Sequence, residues 1–205
     1  MQVLKEEVRN NILQAALSEF RKKGYLQASM RQIALAAGIT IGNIYRYFKS
    51  KEELFEAIIE PVYEQYGNHM VAIQKIIEFS YSNEAPNTLD YFNKIESALM
   101  DLFKTYSAEL TILLNQSKGS KYELVKAELE QMTFSILERV FMVSTATAVS
   151  LSPSNQALAR MLALTLVEGV CLILRDNDEG DTLEQLLDQF LYLYSEGING
   201  IIKQL

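Results

Sequence analysis

The stretch Ser29-Met-Arg-Gln-Ile-Ala-Leu-Ala-Ala-Gly-Ile-Thr-Ile-Gly-Asn-Ile-Tyr-Arg-Tyr47 decides how the rest of the chain is read. Ser29 is a helix-capping residue, and Gln32, three positions on, is spaced to reach back as in a capping box. Met30, Ile33, Ala34 and Ala37 recur at helical spacing and give a short helix one buried face. Gly38 follows at once, where a helix ends in the left-handed conformation that glycine adopts without strain. Ile39 is an apolar plug under the turn, and Thr40 caps a second short helix running to about Phe48. Ile44 and Phe48, four apart, face a core, which leaves Thr40, Asn43, Tyr45, Arg46 and Tyr47 pointing outward. Small and amide side chains reach base edges, while tyrosine hydroxyls and guanidinium groups suit phosphate oxygens or guanine. An ordinary helical hairpin shares the glycine turn, but not the cap, the plug and the donor-rich second helix together. The pattern predicts a DNA-binding helix-turn-helix.

Charge is distributed to match. The net charge is −7, which is unfavourable for a nucleic-acid binder taken as a whole. Residues 1–52, however, hold nine Lys and Arg against four Glu, a net of +5, which leaves −12 for the remainder. A basic head on an acidic body places the electrostatic footprint where the motif lies. No run approaches the roughly 18 consecutive apolar residues of a membrane helix. The start, Met-Gln-Val-Leu-Lys-Glu-Glu, has neither the basic nor the apolar region of a signal peptide. Cys171 is the single cysteine, so no intrachain disulfide forms, and its apolar neighbours predict a buried thiol in a reducing cytoplasm.

Along the chain the periodicity predicts an all-α protein. A first helix, Lys5 to Lys23, carries the stripe Val8, Ile12, Ala16 and Phe20 and ends at Gly24. With the two motif helices it makes a three-helix head over residues 1–50. Ser50 and Glu53 form a second capping box and open a connecting helix over 51–78, with Lys51 in its first turn placed as a phosphate ligand beside the free backbone N–H groups, and Pro61 predicting a kink or break. A polar loop, Ser80 to Asn87, precedes helices at about Thr88–Tyr106 and Ala108–Gln116. Lys118-Gly-Ser separates these from a long helix, Lys121 to Ser150. Ser152-Pro153 starts a helix running to Arg175, and Thr182 with Gln185 caps the last one. The segment 51–205 thus reads as a helical-bundle body.

The head resembles the TetR/AcrR family of bacterial transcriptional regulators. The likeness runs from about Ile12 to Ile58 and rests on Met30-Arg-Gln-Ile-Ala, Ala37-Gly-Ile-Thr, Gly42-Asn-Ile-Tyr-Arg-Tyr-Phe and Lys49-Ser-Lys-Glu-Glu-Leu-Phe. One departure is visible: Ile41 stands where many members carry a lysine or a small polar residue. The resemblance implies a homodimer that binds a palindromic operator in double-stranded DNA. It also implies a repressor released by a small-molecule effector, with Ser29, Arg31 and Lys51 joining Thr40, Asn43, Tyr45, Arg46 and Tyr47 at the DNA.

The body supports two further expectations. The last two helices are apolar around more than one face, and a twofold-related copy would cover the second face. Glu96, Leu99, Phe103, Tyr106, Met132, Phe141 and Glu168 are candidates for an effector pocket between helices, although aromatic and Met stripes are commonly plain core. Glu96 and Glu168 sit amid apolar sequence, where a carboxylate needs a partner. No metal site is expected from the lone His69, and no cofactor is implied. An enzyme is the competing class, but there is no phosphate-cradling glycine loop, nucleophile elbow or His–Glu metal motif. A regulator that answers to a protein partner, or one that activates, shares the same sequence features.

Overall fold

The computed structural model describes residues 2–81, 88–144, 151–177 and 180–203, with the side chains of 76–81 and 88–99, among others, outside that description. It contains α1 (Gln2–Gln27), α2 (Met30–Ala36), α3 (Ile41–Tyr47), α4 (Lys51–Tyr81), α5 (Thr88–Asn115), α6 (Val125–Ser144), α7 (Pro153–Asp176) and α8 (Asp181–Ile202). No strand occurs among the described residues. The fold is all-α.

Contacts divide the chain into two compact units, Met1–Gln65 with Tyr106–Leu124, and Tyr66–Thr105 with Val125–Leu205. In the first, Ile12, Ala16 and Phe20 from α1 are fully buried with Ile33, Ile44, Leu54, Phe55 and Ile59. This is the stripe that α1 carries at helical spacing. An aromatic cluster completes it: Phe55 meets Phe20 edge-on at 4.8 Å and Tyr25 at 4.7 Å between ring centroids. Such pairs add directional attraction to plain burial.

Two local features shape this unit. Gly24 takes φ 74°, ψ 161° and breaks α1 where the sequence predicts its end. The next amide, Tyr25 N–H, donates to the Gln116 carbonyl at 2.8 Å. α4 meanwhile runs through Pro61 without a break. The expected 121–150 helix begins only at Val125. Ser120 Oγ accepts the Tyr122 amide at 3.1 Å, which holds residues 121–124 in turns. Lys121 there pairs with Glu56 at 3.1 Å and Glu60 at 2.9 Å, and the Tyr122 hydroxyl also donates to Glu60.

In the second unit α6, α7 and α8 share a core of Phe134, Leu137, Phe141, Ala159, Ala163 and Ile198. The two alanines present little bulk to α6, and Gly169 lies where Phe190 of α8 leaves no room for a Cβ. Ser152 accepts the Asn155 amide at 3.2 Å and Pro153 occupies the first turn of α7, as the sequence predicts. α8 differs: it starts at Asp181 behind Gly180, whose φ is 116°, so Thr182 lies inside the helix instead of capping it. The predicted polar loop Ser80 to Asn87 and the predicted helix end at Ser150 fall largely on 82–87 and 145–150, outside the described residues.

Candidate nucleic-acid interface

The turn between α2 and α3 is built as its sequence requires. Ala37 caps α2, Gly38 follows at φ 68°, and its N–H donates to Leu35 O at 3.1 Å. Ile39 N–H reaches back to Ala34 O at 3.0 Å. These two bonds satisfy the last carbonyls of α2 and aim the chain into α3. Ser29 has the extended backbone of a capping residue, but its side chain makes no capping hydrogen bond. Thr40 does cap: its Oγ1 accepts the Asn43 amide at 3.2 Å.

α3 is seven residues long and buries only Ile44, while Phe48 at its end is also buried. Thr40, Tyr45 and Arg46 are exposed, and Asn43 and Tyr47 are half-buried. On α2, Arg31 is exposed and Ser29 half-buried. The Arg9 guanidinium lies 5.4 Å from the centre of the Phe48 ring, which adds a cation from α1 beside the end of α3. The result is a polar, cationic face of hydrogen-bonding side chains on a rigid apolar underside.

Lys51 is placed otherwise than as a free phosphate ligand. Its Nζ donates to the carbonyls of Tyr25 at 2.6 Å, Leu26 at 3.2 Å and Ala28 at 3.2 Å, and it sits 4.5 Å from the centre of the Tyr25 ring. Burial lowers its pKa and, with Glu52 and Glu56 nearby, raises that of Tyr25. The ammonium group closes the end of α1 and so sets where α2 begins. Beside it, half of the predicted box forms, with Ser50 Oγ accepting Glu53 N–H at 3.0 Å, while Glu53 Oε2 accepts the N–H of Lys49, one residue before the cap, at 2.7 Å.

Five of the seven effector candidates have described side chains. Phe141 is fully buried in the α6–α7–α8 core, Phe103 is buried and Met132 half-buried. Glu168 is not the buried carboxylate its neighbours predict: it is 55% exposed on α7 and bonds Lys126 at 2.6 Å. Tyr106, where α5 leaves helical geometry, belongs to the first unit. There it lines an open cleft of about 230 Å³ with Leu17, Ile58 and Pro61. The side chains of Glu96 and Leu99 lie outside the described ones. Cys171 is buried, and burial pushes its thiol up to about 11. No cluster of His, Cys, Asp or Glu suited to a metal occurs among the described residues.

Comparison with known proteins bears on the same face. Residues 12–58 match the family described as bacterial regulatory proteins, tetR family. Over 55 residues the chain is 46% identical to the HTH-type transcriptional regulator AcrR of Shigella flexneri, which covers 27% of this chain and 26% of that protein. The chain thus spans about a quarter of that relative's length. It is 28% identical over 173 residues, 83% of each chain, to the HTH-type transcriptional regulator UidR of Escherichia coli K12. Among solved structures, AibR in complex with isovaleryl coenzyme A and operator DNA is similar with a TM-score of 0.55 and 19% identity, covering 91% of this chain and 97% of that one. That likeness extends the common fold well beyond the matched head. Together with a helix-turn-helix whose cap, turn and buried underside are all in place, these matches liken the head, residues 12–58, to the tetR family of bacterial regulatory proteins.

Proposed function

We propose that the protein is a cytoplasmic, homodimeric transcriptional repressor that binds a palindromic operator and is released by a small, largely apolar effector. Residues 1–50 act as the DNA-binding domain and 51–205 as the ligand-binding and dimerisation domain, with 51–78 as the connecting helix. The observation that carries this reading is the face of α3. Ile44 and Phe48 anchor it from below, Thr40 is committed to its cap, and Asn43, Tyr45, Arg46 and Tyr47 are left to meet base edges and phosphates. Ser29 and Arg31 approach the backbone from α2, while Lys51 acts by holding the end of α1.

Dimerisation is supported by apolar surface. α7 is long and apolar enough to cross a membrane by length and composition, yet only a third of that stretch is buried. Met161, Leu164 and Leu172 of α7 and Tyr192 and Leu193 of α8 are exposed. A Cβ on Gly197 or Gly200 would meet nothing within 4 Å. A second copy laid on these two helices covers that face as a four-helix interface. Two heads then read major-groove faces spaced by about one helical turn, roughly 34–36 Å.

The test is selection from random duplexes at fixed salt with the purified protein, its mass in solution being measured in parallel. The expected result is an enriched palindrome bound by a dimer. Asn43→Ala should then alter sequence preference, and Tyr47→Phe should weaken all sites alike. Salt-sensitive binding without enrichment would reject the sequence-reading role.

A further inference from the structure

Among the side chains on the outer face of α3, one is out of character. Ile41, the first residue of the helix, is 43% exposed. An isoleucine left in water forgoes the burial that stabilises it, and a polar residue would serve solvation better. Its neighbour Gly42 is equally unexplained from within. Glycine weakens a helix, and Gly42 has no left-handed φ to require it. A Cβ there would meet nothing within 4 Å, so packing inside the chain does not exclude one. Thr40, on the other side, has its Oγ1 turned to the Asn43 amide. The start of the recognition surface is therefore a branched apolar side chain beside a strip of bare backbone.

That combination has a natural counterpart in DNA. The edges of the base pairs in the major groove present donors and acceptors throughout, with one apolar exception, the C5-methyl group of thymine. An exposed isoleucine offers a methyl contact and no hydrogen bond, and a bare glycine lets the backbone come close. We propose that Ile41, seated beside Gly42, is a specificity-determining residue that reads the C5-methyl group of a pyrimidine in the major groove. By the same contact it would accept 5-methylcytosine better than cytosine. The inference rests on the reading of α3 as the helix that enters the groove.

The test uses the full chain and a duplex selected from random sequence. Each thymine of one half-site is replaced in turn by deoxyuridine, which removes the methyl and nothing else, and affinity is measured at fixed salt. At one position the native protein should lose roughly threefold to fivefold, the share of one buried methyl group. Ile41→Ala should bind the thymine duplex more weakly and no longer distinguish the two bases. Its far-ultraviolet circular dichroism and melting should match the native chain, because the side chain it shortens is exposed. With cytosine at the same position, 5-methylation should strengthen native binding by a similar factor and leave Ile41→Ala unmoved. Selective binding with no methyl-sensitive thymine, or sensitivity that survives in Ile41→Ala, would overturn the proposal and leave the DNA reading intact. Failure of the native chain to select any duplex would remove both.

Discussion

At residue 51 a single ammonium group answers three carbonyls at and just past the end of α1. Lys51→Met keeps the stem and removes the donors, so the three acceptors must find water in a half-buried place. The expected loss is about 1–2 kcal/mol in urea unfolding, with DNA affinity falling alike on all sequences. An unchanged urea midpoint would show that the clamp is dispensable. Glu60 makes a second prediction. Hydrogen bonds from Tyr122 and Lys121 hold its carboxyl below its ordinary value of 4.5. A carboxylate with a depressed folded-state pKa stabilises above its unfolded value and loses that contribution as pH falls through the folded one. Glu60→Gln should therefore be less stable than the native chain at neutral pH, with the gap closing as pH falls below 4.5. Urea midpoints across that range decide it, and a gap that stays constant in acid would contradict the assignment.

At the scale of elements, α7 and α8 depend on one absent side chain. A Cβ built on Gly169 falls 2.0 Å from the tip of the Phe190 ring. Gly169→Ala should cost roughly 1–3 kcal/mol in thermal or urea unfolding, and Phe190→Leu in the same chain should recover part of it. Additive losses in the double variant would mean that the two positions do not meet. Much of this level was legible in advance. Thr40, Ser50 and Ser152 cap as their spacing predicts, because a cap and its amide lie within one turn of each other. Ser29 and Thr182 look the same in sequence and do not cap. At Thr182 the helix has already started, two residues earlier than a cap there would place it, behind Gly180. The turns at 121–124 were not legible at all, since Lys121 finds its partners Glu56 and Glu60 more than sixty positions away. Glu168 was misplaced because apolar neighbours on an outward-facing helix look like those of a buried one, and only a structure separates the two cases.

For the whole molecule, the division read from sequence and the division made by contacts answer different questions. Residues 1–50 hold the face proposed to meet DNA, but the compact unit around them takes in α4 as far as Gln65 and the stretch Tyr106–Leu124. Phe55 fills the centre of its aromatic cluster, and the Gln116 carbonyl holds Tyr25. A fragment of residues 1–50 should accordingly show weak helicity and no cooperative melting, whereas the full chain melts as a folded protein. A sharp transition in the fragment would establish it as self-sufficient. The amide of Tyr25 resting on the carbonyl of Gln116 also bears on how chains of this fold are recombined. A chimera that exchanges heads at the end of the helix-turn-helix would leave the donor with Lys51 and Phe55 supplied by a foreign sequence and with no loop cut to fit. A working graft has two seams rather than one, and carries the second piece of chain along with the first.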